Sequence, residues 1–290
     1  MIGRWRIGDI EVANIVEYYG PTHQPEIVFP EFDRAVFAQR ENELPPQHWY
    51  PGMNRLVIGI QLWVVFAGPN VIVVDTGVGN HKPRPAARMN HLNTLVPLWL
   101  EAAGVKPEKV THVVMTHLHG DHVGWNTVFQ DGRWAPTFPN ARYVMPKRDF
   151  DYFKELSESG WAGDSSFADS VFPIVQAGLA DFIDGQAEVA DCLRVADAVG
   201  HTPGQLNFWL RSRGETGVFS ADIFHHPAQI LNPAWNTAFC VLPDEAKSTR
   251  LRFLDEVSSI GALVMPCHFP PPHCGFIRRH GDGFAYEPAT

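Results

Sequence analysis

Apolar and polar positions near the N-terminus alternate as in a hairpin: Trp5–Ile7, a Gly8-Asp9 turn, then Ile10–Val16. From Gly20 to Asn54 the periodicity fades, and six prolines punctuate a stretch that still holds Phe29, Phe32, Phe37, Trp49 and Tyr50. Loops this long in compact domains usually have a function, and these aromatics suit an apolar lid; sealing a sheet edge or a dimer contact is the alternative. Two strands follow, Leu56–Phe66 and Val71–Asp75, joined by Gly68-Pro69-Asn70. Thr94–Ala103 has helical spacing closed by Gly104, and Val110–Met115 is a short apolar strand. The pattern then predicts a strand at Tyr143–Met145 and a helix at Arg148–Leu156. Strands at Ala187–Val195, Leu206–Leu210 and Val218–Ala221 come next. Asp244–Ser258 is the clearest helix, and Ala262–Met265 closes the series as a strand. Paired strands followed by helices predict two sheets covered by outer helices.

Composition narrows the class. The chain has 290 residues, 45% hydrophobic and 19% charged, which excludes a disordered protein. A formal net charge of −9 gives no basic footprint for nucleic acid, and no apolar stretch approaches membrane-span length. The N-terminus carries no signal-peptide pattern and the four cysteines make no disulfide scaffold, so a cytoplasmic location is expected. The oddity is 14 histidines beside only 23 Lys and Arg.

Those histidines cluster. Directly after the Val110 strand stands Thr116-His117-Leu118-His119-Gly120-Asp121-His122, which places four good ligands for a first-row metal ion around one turn. His201, in Gly200-His201-Thr202-Pro203-Gly204, Asp222, after Ser220-Ala221, and His268, after Pro266-Cys267, also sit at strand ends. Alone, each has a bland alternative: a polar turn, a helix cap, a buried histidine. Four strand-end sites with one ligand chemistry point to a single metal centre.

This set resembles the metallo-β-lactamase superfamily in its two-metal hydrolase branch, and Val73-Val74-Asp75-Thr76-Gly77 resembles that family's Asp-x-Gly turn. The resemblance runs from Leu56 to His268. It implies an α/β fold of the αβ/βα four-layer sandwich type. Residues 1–290 would form one domain, with the N-terminal hairpin and a lid-like loop at 20–54. It also implies two divalent ions, zinc first, with iron, manganese or cobalt as alternatives. His117, His119 and His201 would hold one ion; Asp121, His122 and His268 would hold the other; Asp222 would bridge them. A hydroxide between the ions would attack the substrate, with Asp121 as the catalytic residue that orients it and shuttles its proton.

Within the superfamily the sequence is most similar to the N-acyl-homoserine lactonase and methyl-parathion-hydrolase-like group, on His122-Val123-Gly124-Trp125-Asn126 and Cys267-His268-Phe269-Pro270. Two positions depart from it. Gln205 replaces a histidine after the Pro-Gly of the His201 motif, expected to be a change outside the metal ligands. His225 stands where those lactonases place a tyrosine three residues after the bridging aspartate. His225 or His226 is therefore expected to bind the substrate carbonyl or protonate the leaving alkoxide; the alternative is that both face solvent. The resemblance implies lactone opening or carboxylic-ester cleavage, and an apolar lid on an acidic chain suits a neutral, partly apolar small molecule better than a nucleotide. A phosphotriesterase, a β-lactamase and a non-catalytic metal-binding protein follow as alternatives. No nucleic-acid or membrane partner is expected, and relatives often form homodimers.

Overall fold

The computed structural model describes residues 2–160 and 165–289. Among the described residues seventeen strands form two large sheets and a small hairpin. The first sheet contains β1 (Ile2–Ile7), β2 (Ile10–His23), β3 (Trp49–Tyr50), β4 (Arg55–Ala67), β5 (Asn70–Val74) and β6 (His112–Val114). After the hairpin of β7 (Thr127–Gln130) and β8 (Arg133–Pro136), the chain returns to that sheet with β9 (Arg142–Pro146) and β10 (Ala180–Ile183). The second sheet takes β11 (Glu188–Val189), β12 (Leu193–Asp197), β13 (Leu206–Ser212), β14 (Glu215–Phe219), β15 (Leu263–Met265), β16 (Gly275–His280) and β17 (Gly283–Pro288). Strands β5, β6, β9 and β10 pair in parallel, as do β14 and β15; the other pairings are antiparallel.

The layering follows from side-chain parity, since successive residues of a strand face opposite sides of its sheet. Trp63 and Val65 of β4, with Ile72 and Val74 of β5, meet Phe208, Leu210, Phe219 and Met265 between the sheets. The intervening Leu62, Val64 and Val73 pack outward against Val96 and Leu100 of the helix Val96–Ala102 and Phe153 of the helix Lys147–Glu158. On the far side Trp209, Val218 and Val264 meet Phe253, Leu254 and Val257 of the helix Pro243–Ile260. The result is helix, sheet, sheet, helix: the predicted four-layer sandwich.

Element boundaries moved where long-range pairing outweighed local pattern. Strand β2 runs on to His23, with register irregularities between Val16 and Tyr18 and between Pro21 and His23. Bulges of this kind re-aim side chains, and they hide the alternation that would have announced the strand. Ala190 and Asp191 have positive φ, so the single strand expected at Ala187–Val195 is two, β11 and β12. The hairpin β16–β17, with its charged Arg278, Arg279 and His280, and the hairpin β7–β8 had no clear sequence signal. In the 20–54 segment, Phe29, Phe37 and Trp49 are buried with Trp235, and Phe32 packs against the same cluster. Tyr50 is exposed. Among the described residues no helix is long and apolar enough to cross a membrane.

Three buried charges anchor the stretch after β5. Lys82 Nζ donates to Thr127 Oγ1 at 2.7 Å and lies 3.4 Å from Asp169 Oδ1, while Arg84 clasps the same carboxylate at 2.7 and 3.0 Å. Burial pulls the Lys82 amine down to about 8. Removing one member of such a group leaves uncompensated charge in the interior, so Asp169→Ala is expected to cost about 3–5 kcal/mol. Urea unfolding measures this, and a loss below about 1 kcal/mol, the level of a surface ion pair, would contradict it.

Candidate metal centre

The chemistry-bearing residues come from loops at one edge of both sheets. The turn after β5 supplies Asp75, that after β6 supplies His117 to His122, and that after β12 supplies His201. The ends of β14 and β15 lead to Asp222 and His268. Gly200 adopts φ +142°, and an added Cβ would stand 2.2 Å from the Ala246 Cα, so only glycine lets the His201 loop lie against the last helix.

At the centre sits Asp222. Its Oδ2 lies 3.1 Å from His225 Nε2, 3.2 Å from His201 Nε2 and His268 Nε2, 3.4 Å from His122 Nε2 and 3.7 Å from His117 Nε2. His119 Nδ1 closes one side, 3.1 Å from His117 Nε2 and 2.8 Å from His201 Nε2. Asp121 closes the other, with oxygens 3.9 Å from His122 Nε2 and 3.8 Å from His268 Nε2. The donors thus gather as His117, His119, His201 and Asp222, and beside them as Asp121, His122 and His268. A third group joins Asp222, His225 and His268.

This donor set fits divalent cations. Burial holds His117 and His201 well below the usual imidazole range and His119 down at about 4, so their nitrogens keep lone pairs to offer. Buried His122 Nε2 and Asp222 Oδ1 have no hydrogen-bond partner among the described residues, a costly arrangement unless a cation receives them.

Outer partners aim the rings. Asp75 accepts from Thr116 N and Oγ1 at 2.7 Å each, from His122 Nδ1 at 2.9 Å and from Cys267 Sγ at 3.0 Å. The Nδ1 of His268 donates to the Gly59 carbonyl at 2.8 Å, leaving Nε2 turned inward. Asp149, in the first turn of its helix, braces two ligand loops by accepting from Leu118 N, Thr202 Oγ1 and Gly204 N. Burial pushes its carboxyl up to about 6.

The histidine pair of the Asp222 loop is split. His225 faces the pocket, stacked on His268 at 5.1 Å. His226 is turned away and fully engaged: its Nε2 donates to the His48 carbonyl at 3.0 Å, and its Nδ1 accepts from Ala228 N. Neither faces solvent. Gln205 lies outside the donor groups, donating to the Ala198 carbonyl. The pocket over the cluster encloses about 180 Å³, with Ile58, Ile60, Met89 and Phe239 as apolar wall and Tyr18, His23 and Arg88 as polar wall. Phe29, Phe32, Phe37 and Trp49 do not line it. Sequence reasoning missed Tyr18, Arg88 and Asp149: the first follows a bulge, the second belongs to no regular element, and the third reads as an ordinary helix-start acid. Because a ligand histidine's outer carboxylate fixes its ring, Asp75→Ala is expected to weaken metal affinity about 10–100-fold. A competition titration against a chromophoric chelator reads the change, and wild-type affinity in the variant would refute the role.

A model of the family described as "Metallo-beta-lactamase superfamily" matches residues 58–268. No curated protein sequence matches the chain. The fold is shared with AidC, a dizinc quorum-quenching lactonase solved with a product, at TM-score 0.80 and 21% identity, covering 100% of this chain and 97% of that one. The hydrolase AbOPH of the beta lactamase superfamily gives 0.81 and 20%, again covering 100% and 97%. An N-acyl homoserine lactone hydrolase with N-hexanoyl-L-homoserine at its catalytic metal centre gives 0.59 and 14%, covering 91% and 94%. With the family model spanning most of its length and the donor cluster at the expected sheet edge, the chain belongs to the metallo-beta-lactamase superfamily.

Proposed function

We propose that this protein is a two-metal hydrolase that opens lactones or cleaves carboxylic esters. The observation that carries the reading is the Asp222 carboxylate, ringed by imidazole nitrogens at the floor of a part-apolar pocket. His117, His119 and His201 would hold one ion and Asp121, His122 and His268 the second, with Asp222 between them; zinc suits these nitrogen and oxygen donors. When bound, such ions polarise a carbonyl and lower the pKa of water toward neutrality. Asp121, one-fifth exposed at the pocket, orients the attacking water and takes up its proton at a carboxylate oxygen. His225 faces the same space and hydrogen-bonds the scissile carbonyl or returns a proton to the leaving alkoxide. Ile58, Ile60, Met89 and Phe239 exclude water beside the reacting group and receive the apolar part of the substrate. The solved neighbours named for lactones share the fold, and their ligands are acyl-homoserines.

Zinc-reconstituted protein assayed with γ- and δ-lactones, aryl esters, organophosphates and β-lactams tests the reading. Lactone and ester turnover is expected to lead, to vanish with a chelator and to return with zinc. Organophosphate turnover of equal strength would favour a phosphotriesterase, and chelator-insensitive turnover would overturn the mechanism. A positioned acid contributes about 10²–10⁴-fold, so His225→Ala is expected to lower kcat about 100-fold or more. In a folded His226→Ala variant, kcat is expected to fall far less. Equal losses in the two variants would remove His225 from the mechanism.

A further inference from the structure

The wall of the pocket opposite the metal cluster is an anchored loop with a charged tip. His81 N donates to the Leu92 carbonyl and His91 N to the Lys82 carbonyl, both at 2.8 Å, and these bonds close its neck. Arg84 N donates to Asn90 Oδ1 at 2.9 Å inside it. Its root is the buried group of Lys82 and Arg84 on Asp169. From that base Pro85, Arg88 and Met89 reach into the pocket wall, facing Tyr18, Thr22 and His23 of the bulged end of β2.

Arg84 is held by Asp169, but Arg88 is exposed at the pocket and makes no ion pair among the described residues. Its guanidinium lies within hydrogen-bonding reach of the Tyr18 hydroxyl, and its charge is felt by His23 as well. Burial pushes the Tyr18 hydroxyl up to about 12, so it stays protonated and able to donate. One wall therefore offers N–H and O–H donors with a full positive charge. A pocket wall carrying a guanidinium that no described carboxylate pairs suits an anion, whereas the acidic chain and its aromatic 20–54 segment suggested an uncharged substrate.

We propose that Arg88, together with Tyr18, recognises a carboxylate that the substrate carries apart from its scissile carbonyl. The substrate class becomes half-esters of dicarboxylic acids and lactones bearing an acid group. This rests on the hydrolase reading above, and the apolar wall then packs the chain between the two groups. Guanidinium and carboxylate pair through two parallel hydrogen bonds, which a lysine cannot reproduce.

The test pairs monomethyl esters of succinate, glutarate and adipate with their dimethyl esters, on zinc-loaded protein. Wild type is expected to favour one half-ester by about tenfold or more in kcat/KM, chiefly through KM, the size of one charge-assisted contact. Arg88→Met is expected to erase that preference and Arg88→Lys to keep part of it. A preference that survives intact in Arg88→Met, or none in wild type, overturns the proposal. Calorimetry with glutarate against butyrate reads the same contact without turnover. The second carboxylate is expected to tighten binding about tenfold in wild type and to add little in Arg88→Met. Equal affinities in wild type would overturn the Arg88 role even if esters are cleaved. Glutarate selectivity that depends on Arg88, found without ester cleavage, would sustain the role and overturn only the hydrolase reading.

Discussion

Five imidazole nitrogens within 3.7 Å of one buried carboxylate oxygen are the constraint around which the rest of this molecule is arranged. Such crowding is unfavourable in a bare protein interior, where lone pairs face one another and polar atoms lack partners. It becomes favourable when cations receive those donors, and only rigid walls can hold the rings in place until then. The sandwich provides the rigidity. Its two sheets lock through Trp63, Phe208 and Phe219, and the ligand loops leave their strands within a residue or two of that packed layer.

Outside the donor cluster, a set of buried carboxylates converts sheet geometry into site geometry. Asp75 gathers four donors from two separate segments, and Asp149 ties the His117 loop to the His201 loop. Glu17 does the same one shell further out, accepting from Val78 N, Gly79 N and Trp125 Nε1. Burial raises the Glu17 carboxyl and these donors oppose the shift. Each carboxylate replaces its lost hydration with fixed donors, so each also immobilises the backbone it holds.

The opposite wall follows a different logic. The loop from Asn80 to Leu92 is fastened at its root by buried ion pairs and presents its tip to the pocket. Lys82 also lies 3.6 Å over the Trp134 ring, which links the β7–β8 hairpin to the same anchor.

By itself the sequence determined the parts of this protein that local chemistry dictates. Alternation set the main strands, helical spacing set the helix at Asp244–Ser258, and the His117 to His122 run marked the donor-rich turn, because those signals lie within a few adjacent residues. His201, Asp222 and His268 were legible through family resemblance, since each alone looks like an ordinary turn or cap. Only the tertiary structure turned His225 to the pocket and His226 away from it, because neighbouring residues in a loop point apart and His48, from a distant segment, claims one of them. It alone brought Tyr18 round a bulge and set Arg88 across from it, and it drew the aromatic residues of the 20–54 segment onto Trp235. Those outcomes depend on pairing register and on contacts between residues far apart in the chain, which no local pattern of hydrophobic and polar positions encodes.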